Sequence, residues 1–460
     1  MRTSKSVIGL FVCCVFFATA KAQVKHVVLV SIDGFHPDMY LDKDWPCPNL
    51  RYLMKNGVYA DYLKSTFPSY TYPSHTAMIT GALPARSGIY FNQPIGSKGE
   101  WYWYSNAIKV PTLWQALKAA GKTTAAIEWP VTVNADINWN LPEIWQVDSN
   151  DRIAEARKYA TPGLVSEIEQ NATGKLDSSN MQDSRFSLDE NLGRAAAYIL
   201  KKNKPSFLAL HFACVDEMSH EQGRDADSVR MALATDDRAI GDLLEVIQYN
   251  GLKDSTAIII VGDHGFATIN QVMRPNLLIK GVGARFITSG GSCFLYPQVK
   301  AIEYDGAEKR KQVYAEIVKT VTDSLNKLPK DKRRLFRIID RRELDKMGAD
   351  SAALLALSAQ PGLVFSGSAS PARAVNHGPG TFIQQNPLYG VFIPAHGGHH
   401  GYDPDIPEMH TGFIAYGAGI IKGGHINHLS EPDIAVLIAD LLGINFQTPD
   451  GKRVPGIINQ

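Results

Sequence analysis

Cysteine is scarce in this chain, with five residues among 460. Cys13 and Cys14 lie in an N-terminal apolar run, which leaves Cys47, Cys214 and Cys293 for the body of the protein. Three thiols allow one disulfide at most, which excludes a disulfide-stapled scaffold. Charge of either sign is not in excess: 47 Lys and Arg stand against 46 Asp and Glu, a formal net charge of +1. There is no basic field for a nucleic-acid scaffold, so recognition must come from a local site. No second apolar run is long enough to span a bilayer, which argues against stable membrane insertion. Internal repeats and low-complexity tracts are missing as well.

Targeting information is present at the N-terminus. Arg2 and Lys5 precede "VIGLFVCCVFFATA", and Ala20-Lys21-Ala22 puts small residues at the two spaced cleavage positions. This pattern predicts a secretory signal over residues 1–22, with an uncleaved anchor as the alternative. Removing Arg2, Lys5 and Lys21 from the 47 cations leaves a mature net charge of −2 against the 46 anions. The expectation is an exported protein, periplasmic or extracellular.

Apolar residues make up 45% of the chain and charged residues 20%, ordinary values for a globular protein. Strand-like runs alternate with helix-like ones: "HVVLVSI", "TTAAIEW", "FLALHFACV" and "TAIIIVG" against "PTLWQALKAAG", "LGRAAAYILKKN" and "EPDIAVLIADLLG". Apolar strands separated by helices predict an α/β fold, with a mostly parallel central sheet covered by helices on both faces. The rhythm breaks from about Met273 to Tyr389. The expected division is a catalytic domain over 23–272 and 390–460, with an inserted cap subdomain at 273–389. The basic stretch "KDKRRLFRIIDRREL" in that insertion reads as a solvated surface.

The chemistry begins where strands end. "VVLVSIDG" places Asp33 after one buried-type strand, "FLALHFACVDEMSH" places Asp216 after another, and "AIIIVGDHGF" places Asp263 and His264 after a third. A single such Asp is commonly a helix cap or a turn residue. Three of them at the carboxyl edge of one parallel sheet would converge where such sheets bind ligands. His220 follows Asp216 by four residues, one helical turn. "PAHGGHHGYDP" adds His396, His399 and His400. Asp33, Asp216, His220, Asp263, His264 and one late His make six N/O ligands, too many for one tetrahedral zinc and suited to two ions. Mixed Asp/His ligation favours two Zn2+, with Mn2+ or Fe as alternatives. A nucleophile candidate lies in "STFPSYTYPSHTAMITG", where Thr66 or Thr71 could stand at a helix N-terminus. The alternative is that Thr71 or Ser74 is an ordinary N-cap.

Taken together, "VSIDGF", "TYPSHTAMITG", "LPARSGI", "VDEMSH", "VGDHGF" and "HHGYDP", in that order, resemble the nucleotide pyrophosphatase/phosphodiesterase family of the alkaline phosphatase superfamily. The resemblance implies an alkaline-phosphatase-like fold and a small-molecule phosphodiester or nucleotide substrate. It implies that Thr71 is the nucleophile, Thr66 having the wrong spacing to "TG". One zinc is implied at Asp33, Thr71, Asp263 and His264, a second at Asp216, His220 and His400, with His399 a near neighbour of the last. Tyr72 matches the family's aromatic base-stacking residue, with core packing as its alternative, and the Trp101–Tyr104 run offers a second aromatic wall or cap packing. Ser74 stands where nucleotide-cleaving members carry an Asn that donates to a phosphoryl oxygen. The implied reaction is hydrolysis of a phosphodiester or phosphoanhydride through a phospho-threonine. A phosphomonoesterase or phosphonate hydrolase of the same superfamily, or an exported non-catalytic binder, are the rival readings. A monoesterase would want an Arg clamp, and only Arg86 lies near the motifs.

Overall fold

The computed structural model describes residues 24–148, 151–298, 306–369, 388 and 390–459. The expected signal segment and part of the expected cap lie outside these residues. Among the described residues no helix is long and apolar enough to cross a membrane, and Cys47, Cys214 and Cys293 are free and buried.

Eight strands form the central sheet in the order Gly424–Ser430, Val58–Lys64, Phe413–Gly417, Thr256–Gly262, His26–Ile32, Phe207–Phe212, Thr124–Ile127 and Trp139–Leu141. Only Phe413–Gly417 runs antiparallel to its neighbours. The apolar runs are continuous because the middle strands are buried on both faces. Alternate side chains then serve two cores. Val28, Val30 and Ile32 join Leu208, Leu210, Ile258 and Ile260 beneath the helices Pro48–Asn56, Phe186–Asn203 and Asp227–Tyr249. Val27 and Leu29 join Ala209, Ile259 and Val261 beneath Leu113–Ala119 and Glu431–Leu442 on the other face. The last helix starts as its sequence suggests, with Pro432 in its first turn and Asp433 Oδ2 accepting from Ser430 N at 2.8 Å.

Register brings the three middle strands to one edge. Ile32 stands opposite both Phe212 and Gly262, so Asp33 and Asp263, the next residues of their chains, leave the sheet together. A second, antiparallel sheet of Phe336–Ile339, Ala356–Ala359, Ser292–Pro297 and Ala284–Ser289 lies within the span expected as an insertion. It has its own core of Phe286, Leu295, Val321, Leu325 and Leu357. A three-stranded sheet of Leu363–Phe365, Gln271–Met273 and Phe392–Pro394 crosses both ends of that span.

Gly262 is the hinge between strand and site. A Cβ there would fall 2.0 Å from Thr411 Oγ1 and 2.5 Å from the Phe35 carbonyl oxygen. Gly262→Ala is therefore expected to overpack the strand end and cost about 1–3 kcal/mol. Thermal unfolding reads this as a lowered Tm; an unchanged Tm would mean the edge is looser than described.

Candidate active site and metal centre

Thr71 opens the helix Thr71–Thr80, whose residues are all buried. Two bonds fix its position. His75 Nδ1, one turn on, donates to the Thr71 carbonyl at 2.8 Å, and Asn92 Oδ1 accepts from Tyr72 N at 3.0 Å. Thr71 Oγ1 then lies 3.3 Å from His264 Nε2. The same imidazole nitrogen is 3.1 Å from Asp33 Oδ1, 3.4 Å from Asp263 Oδ2 and 3.8 Å from Asp216 Oδ1.

The expected i,i+4 pair is realised on the helix Cys214–Gln222, where His220 Nε2 lies 3.4 Å from Asp216 Oδ2. His400 arrives from the Gly-rich loop. Its Nε2 is 3.8 Å from Asp216 Oδ1, and its ring stacks on His264 with centroids 3.6 Å apart. Three sets of ligand atoms gather tightly enough to share an ion: Asp33, Asp263 and His264; Asp216, His264 and His400; His220, His399 and His400. The fold thus brings together Asp33, Thr71, Asp216, His220, Asp263, His264, His399 and His400.

Electrostatics show what this arrangement lacks. Asp33 Oδ1, Asp216 Oδ1 and Asp263 Oδ2 are buried with no hydrogen-bond partner. Burial, with Asp33 and Asp263 close by, pushes the Asp216 carboxyl well up. Burial and Asp33 push Asp263 up to about 7. Asp33 meets the same burial, but the charge of His264 and the hydrogen bond from His211 outweigh it and hold it well below the carboxylate range. Burial, then His264, lowers His220 to about 4 and depresses His400 strongly, so both imidazoles are neutral and free to ligate. Crowded carboxylates with unpartnered oxygens, faced by neutral imidazoles, fit hard or borderline divalent cations.

Two of the expected residues stand apart from the ligand cluster. Ser74 does not reach the site. It is fully buried, its Oγ lies 3.3 Å from Thr66 Oγ1, and it stands beside the Glu431 carboxyl. Tyr72 does not line the cavity either; it is fully buried and meets Trp101 edge-on at 5.1 Å. Of the Trp101–Tyr104 run, Trp101 lines the cavity, Trp103 is buried, and Tyr104 reaches the surface beside Tyr159. Arg86 is an exposed partner of Asp450 and is not on the cavity wall.

Sequence reasoning missed much of that wall. Asn92, Trp145, Glu143, Arg152, Asp183 and His211 line a cavity of about 470 Å³ together with Asp33, Thr71, Asp216 and His400. His211 Nε2 is 3.2 Å from Asp33 Oδ2. An imidazole inside the apolar run "FLALHF" was the available signal for it. Arg152 is buried on Glu128 Oε2 at 2.8 Å and Asp183 Oδ1 at 2.5 Å, with its guanidinium 4.8 Å over the Trp145 ring. Burial pushes Glu128 up to about 7 and Glu143 up to about 8.

A mostly parallel sheet with acids and imidazoles at its carboxyl edge defines an alkaline-phosphatase-like α/β protein. The pattern described as "Type I phosphodiesterase / nucleotide pyrophosphatase" matches residues 27–403, and the chain belongs to that family. It is 23% identical over 437 residues to the bis(5'-adenosyl)-triphosphatase enpp4 of Mus musculus, covering 94% of this chain and 81% of that one. It is 23% identical over 458 residues to the venom phosphodiesterase of Macrovipera lebetinus, covering 93% and 44%. Human ectonucleotide pyrophosphatase/phosphodiesterase 5 superposes with a TM-score of 0.64 at 18% identity, covering 93% of this chain and 97% of that one. An inactive form of the murine counterpart in complex with AMP superposes at 0.62 and 20%, with the same coverage. These likenesses establish the fold. The relatives are nucleotide pyrophosphatases and phosphodiesterases by name, and the family is one of hydrolases.

The pKa shifts set a pH test for the metal-free protein. Asp263, raised from 3.8 to about 7, Glu128 to about 7 and Glu143 to about 8 stabilise the fold only while protonated. His211, raised to about 9 because its bond to Asp33 outweighs burial, stabilises it only while charged. The Asp263 and Glu128 contributions drain as pH rises from about 4 to 7, that of Glu143 from about 4.5 to 8 and that of His211 from about 6.5 to 9; below 6.5 the depressed imidazoles of His220 and His400 work the other way, so the net loss falls between about 6.5 and 9. The Tm of chelator-treated protein should fall across that window, and saturating zinc should flatten the slope. A metal-independent slope would remove the electrostatic case for cations.

Proposed function

We propose that this chain is an exported phosphodiesterase/nucleotide pyrophosphatase that uses two divalent ions, zinc foremost, and a phospho-threonine at Thr71. One observation carries the reading: the Thr71 hydroxyl, at a helix N-terminus, faces the imidazole shared by two of the candidate ion sets. One ion would be held by Asp33, Thr71, Asp263 and His264, the other by Asp216, His220 and His400, with His399 adjacent. Bound there, such ions supply Lewis acidity toward the phosphoryl oxygens, the attacking hydroxyl and the leaving oxygen.

The chain's own groups do the rest. Thr71 Oγ attacks phosphorus in line, and the bond to the leaving alcohol or nucleotide breaks. Water then attacks the phospho-threonine and restores the hydroxyl, so one water is consumed per bond cleaved. His75 and Asn92 keep the nucleophile's helix in place through Thr71 O and Tyr72 N. Because Asn92 Oδ1 is committed to that amide, its NH2 is the end left to donate to a phosphoryl oxygen, the task expected of Ser74. Trp101 and Trp145 offer the aromatic surface for the rest of the substrate. The segment 273–389 acts as a cap beside the site in this reading.

The lining favours a diester over a monoester. Among the described lining residues the one guanidinium, that of Arg152, is tied to Glu128 and Asp183, so it is not free to clamp a dianion. The test assays bis(4-nitrophenyl) phosphate, the thymidine 5'-monophosphate nitrophenyl ester and 4-nitrophenyl phosphate in parallel, with and without chelator. The diesters should turn over and the chelator should stop them, while Thr71→Ala loses activity by roughly 10³-fold or more with the fold intact. Turnover of the monoester alone, or an active Thr71→Ala, would reject the reading; metal bound with no turnover would favour a binding protein. Asn92→Ala should lower kcat by roughly 10²-fold, whereas Ser74→Ala should lower Tm and spare kcat. The reverse ranking would return the donor role to Ser74.

A further inference from the structure

Two carboxyl groups outside the cavity meet beneath the helix that carries Asp216 and His220. Asp189, from the helix Phe186–Asn203, accepts from Ala213 N at 3.1 Å and from Cys214 N at 2.9 Å. These are backbone donors at the start of the helix Cys214–Gln222. Asp236, from the helix Asp227–Tyr249, faces the Asp189 carboxyl, close enough for the two to share a hydrogen once one of them is protonated. Both residues are fully buried, and no other donor reaches either oxygen of Asp236. The three elements are closely packed here. One turn beyond Asp189, a Cβ on Gly193 would lie 2.5 Å from the Ala239 methyl, which leaves no room for a solvating cluster.

Two carboxylates in contact in a dry interior cannot both be charged. Asp189 has two N–H donors and Asp236 has none, which decides where the charge sits. We propose that Asp236 keeps a proton and donates its O–H to the Asp189 carboxylate, and that this pair clamps the N-terminus of the helix that positions Asp216 and His220. Asp189 and Asp236 are positioning residues in this scheme. The proton stays on Asp236, no bond is made or broken, and the Asp189 charge complements the helix dipole.

The surroundings are consistent with one shared proton. Burial raises both carboxyls, Asp236 well above its usual range, with the Asp189 charge next. The ionisable groups facing the pair are the Cys214 thiol, itself held protonated by burial, and Asp237 and Arg238 on Asp236's own helix. The thiol also faces the Asp189 carboxyl as a donor, which further favours the charge there, while Asp237 and Arg238 lie on the Asp236 side.

The consequence for metal rests on the function proposed above; the consequence for the helix does not. Hydrogen–deuterium exchange over Cys214–Gln222 and zinc content after gel filtration are measured on the full chain as wild type, Asp236→Asn and Asp236→Leu. The Asn amide keeps a donor toward Asp189, so Asp236→Asn should match wild type in both readouts. Asp236→Leu keeps the γ-branched shape, at a larger volume, and loses the donor, so its helix should exchange roughly tenfold faster or more and its zinc content should drop. Wild-type protection should weaken at alkaline pH as the shared proton leaves, and Asp236→Asn, which has no such proton, should not follow. The proposal is overturned if Asp236→Leu is as protected and metal-loaded as wild type, if Asp236→Asn fails as badly as Asp236→Leu, or if the alkaline profiles of wild type and Asp236→Asn superpose. Should Asp236→Leu not fold, the last comparison still decides. Clamp-dependent exchange in a wild type that binds no metal would reject the two-ion reading and leave the clamp standing.

Discussion

Mutual repulsion among Asp33, Asp216 and Asp263 is the constraint around which the structure is arranged. Unit charges about 4 Å apart interact by about 4 kcal/mol at an effective dielectric constant of 20. A domain has about 5–15 kcal/mol of stability in total, so three ionised carboxylates so close together consume much of it. A protein keeps such a cluster only if something recovers the cost. Part is recovered internally, as His211 and His264 hold Asp33 ionised. The rest is not, because Asp216 and Asp263 are driven upward and their inner oxygens have no partner. That residual deficit is the physical content of the site.

The sheet imposes the crowding. Parallel strands in register must end on one edge, and the same apolar runs that make the strands core-forming leave no freedom to move the ends apart. Around that edge, each functional group is held by something rigid. Thr71 sits on a fully buried helix, Asp216 and His220 share a helix turn, and Asp33 and Asp263 follow strands packed on both faces. Precision comes from the scaffold.

Legibility in the sequence follows the range of the interactions. Asp33, Asp263 and His264 could be read because each follows an apolar strand, and Asp216 with His220 because four residues make a helical turn. Both rules are local. Ser74 and Tyr72 could not be placed, because which way a side chain on a buried helix points depends on what packs below it, here Thr66 and Glu431 for Ser74 and Trp101 for Tyr72. The cluster of Arg152, Glu128, Glu143 and Asp183 had no pattern to announce it. Its charges look like ordinary surface residues until tertiary packing buries them against one another. His211 lies between these cases, an imidazole in an apolar strand, legible as an oddity and assignable only once Asp33 is known to lie beside it.

The second antiparallel sheet bears on the same edge through its turn at Gly290 and Gly291. Gly291 N donates to the His400 carbonyl at 2.8 Å, and a Cβ on Gly290 would fall 2.2 Å from that same oxygen. The Tyr402 ring lies where a Cβ on Gly291 would be, at 2.2 Å. Arg337, on a strand of that sheet, pairs with Asp403. The loop that carries His400 is therefore fixed by backbone contact with the second sheet on one side and, through Ser69 O and His400 Nδ1 at 3.1 Å, by the approach to the nucleophile helix on the other. An imidazole on a free Gly-rich loop would lose most of its ligating strength to the entropy of ordering it. Held from both sides, it faces Asp216 already ordered. By this argument the second sheet is a brace for the loop that carries His400.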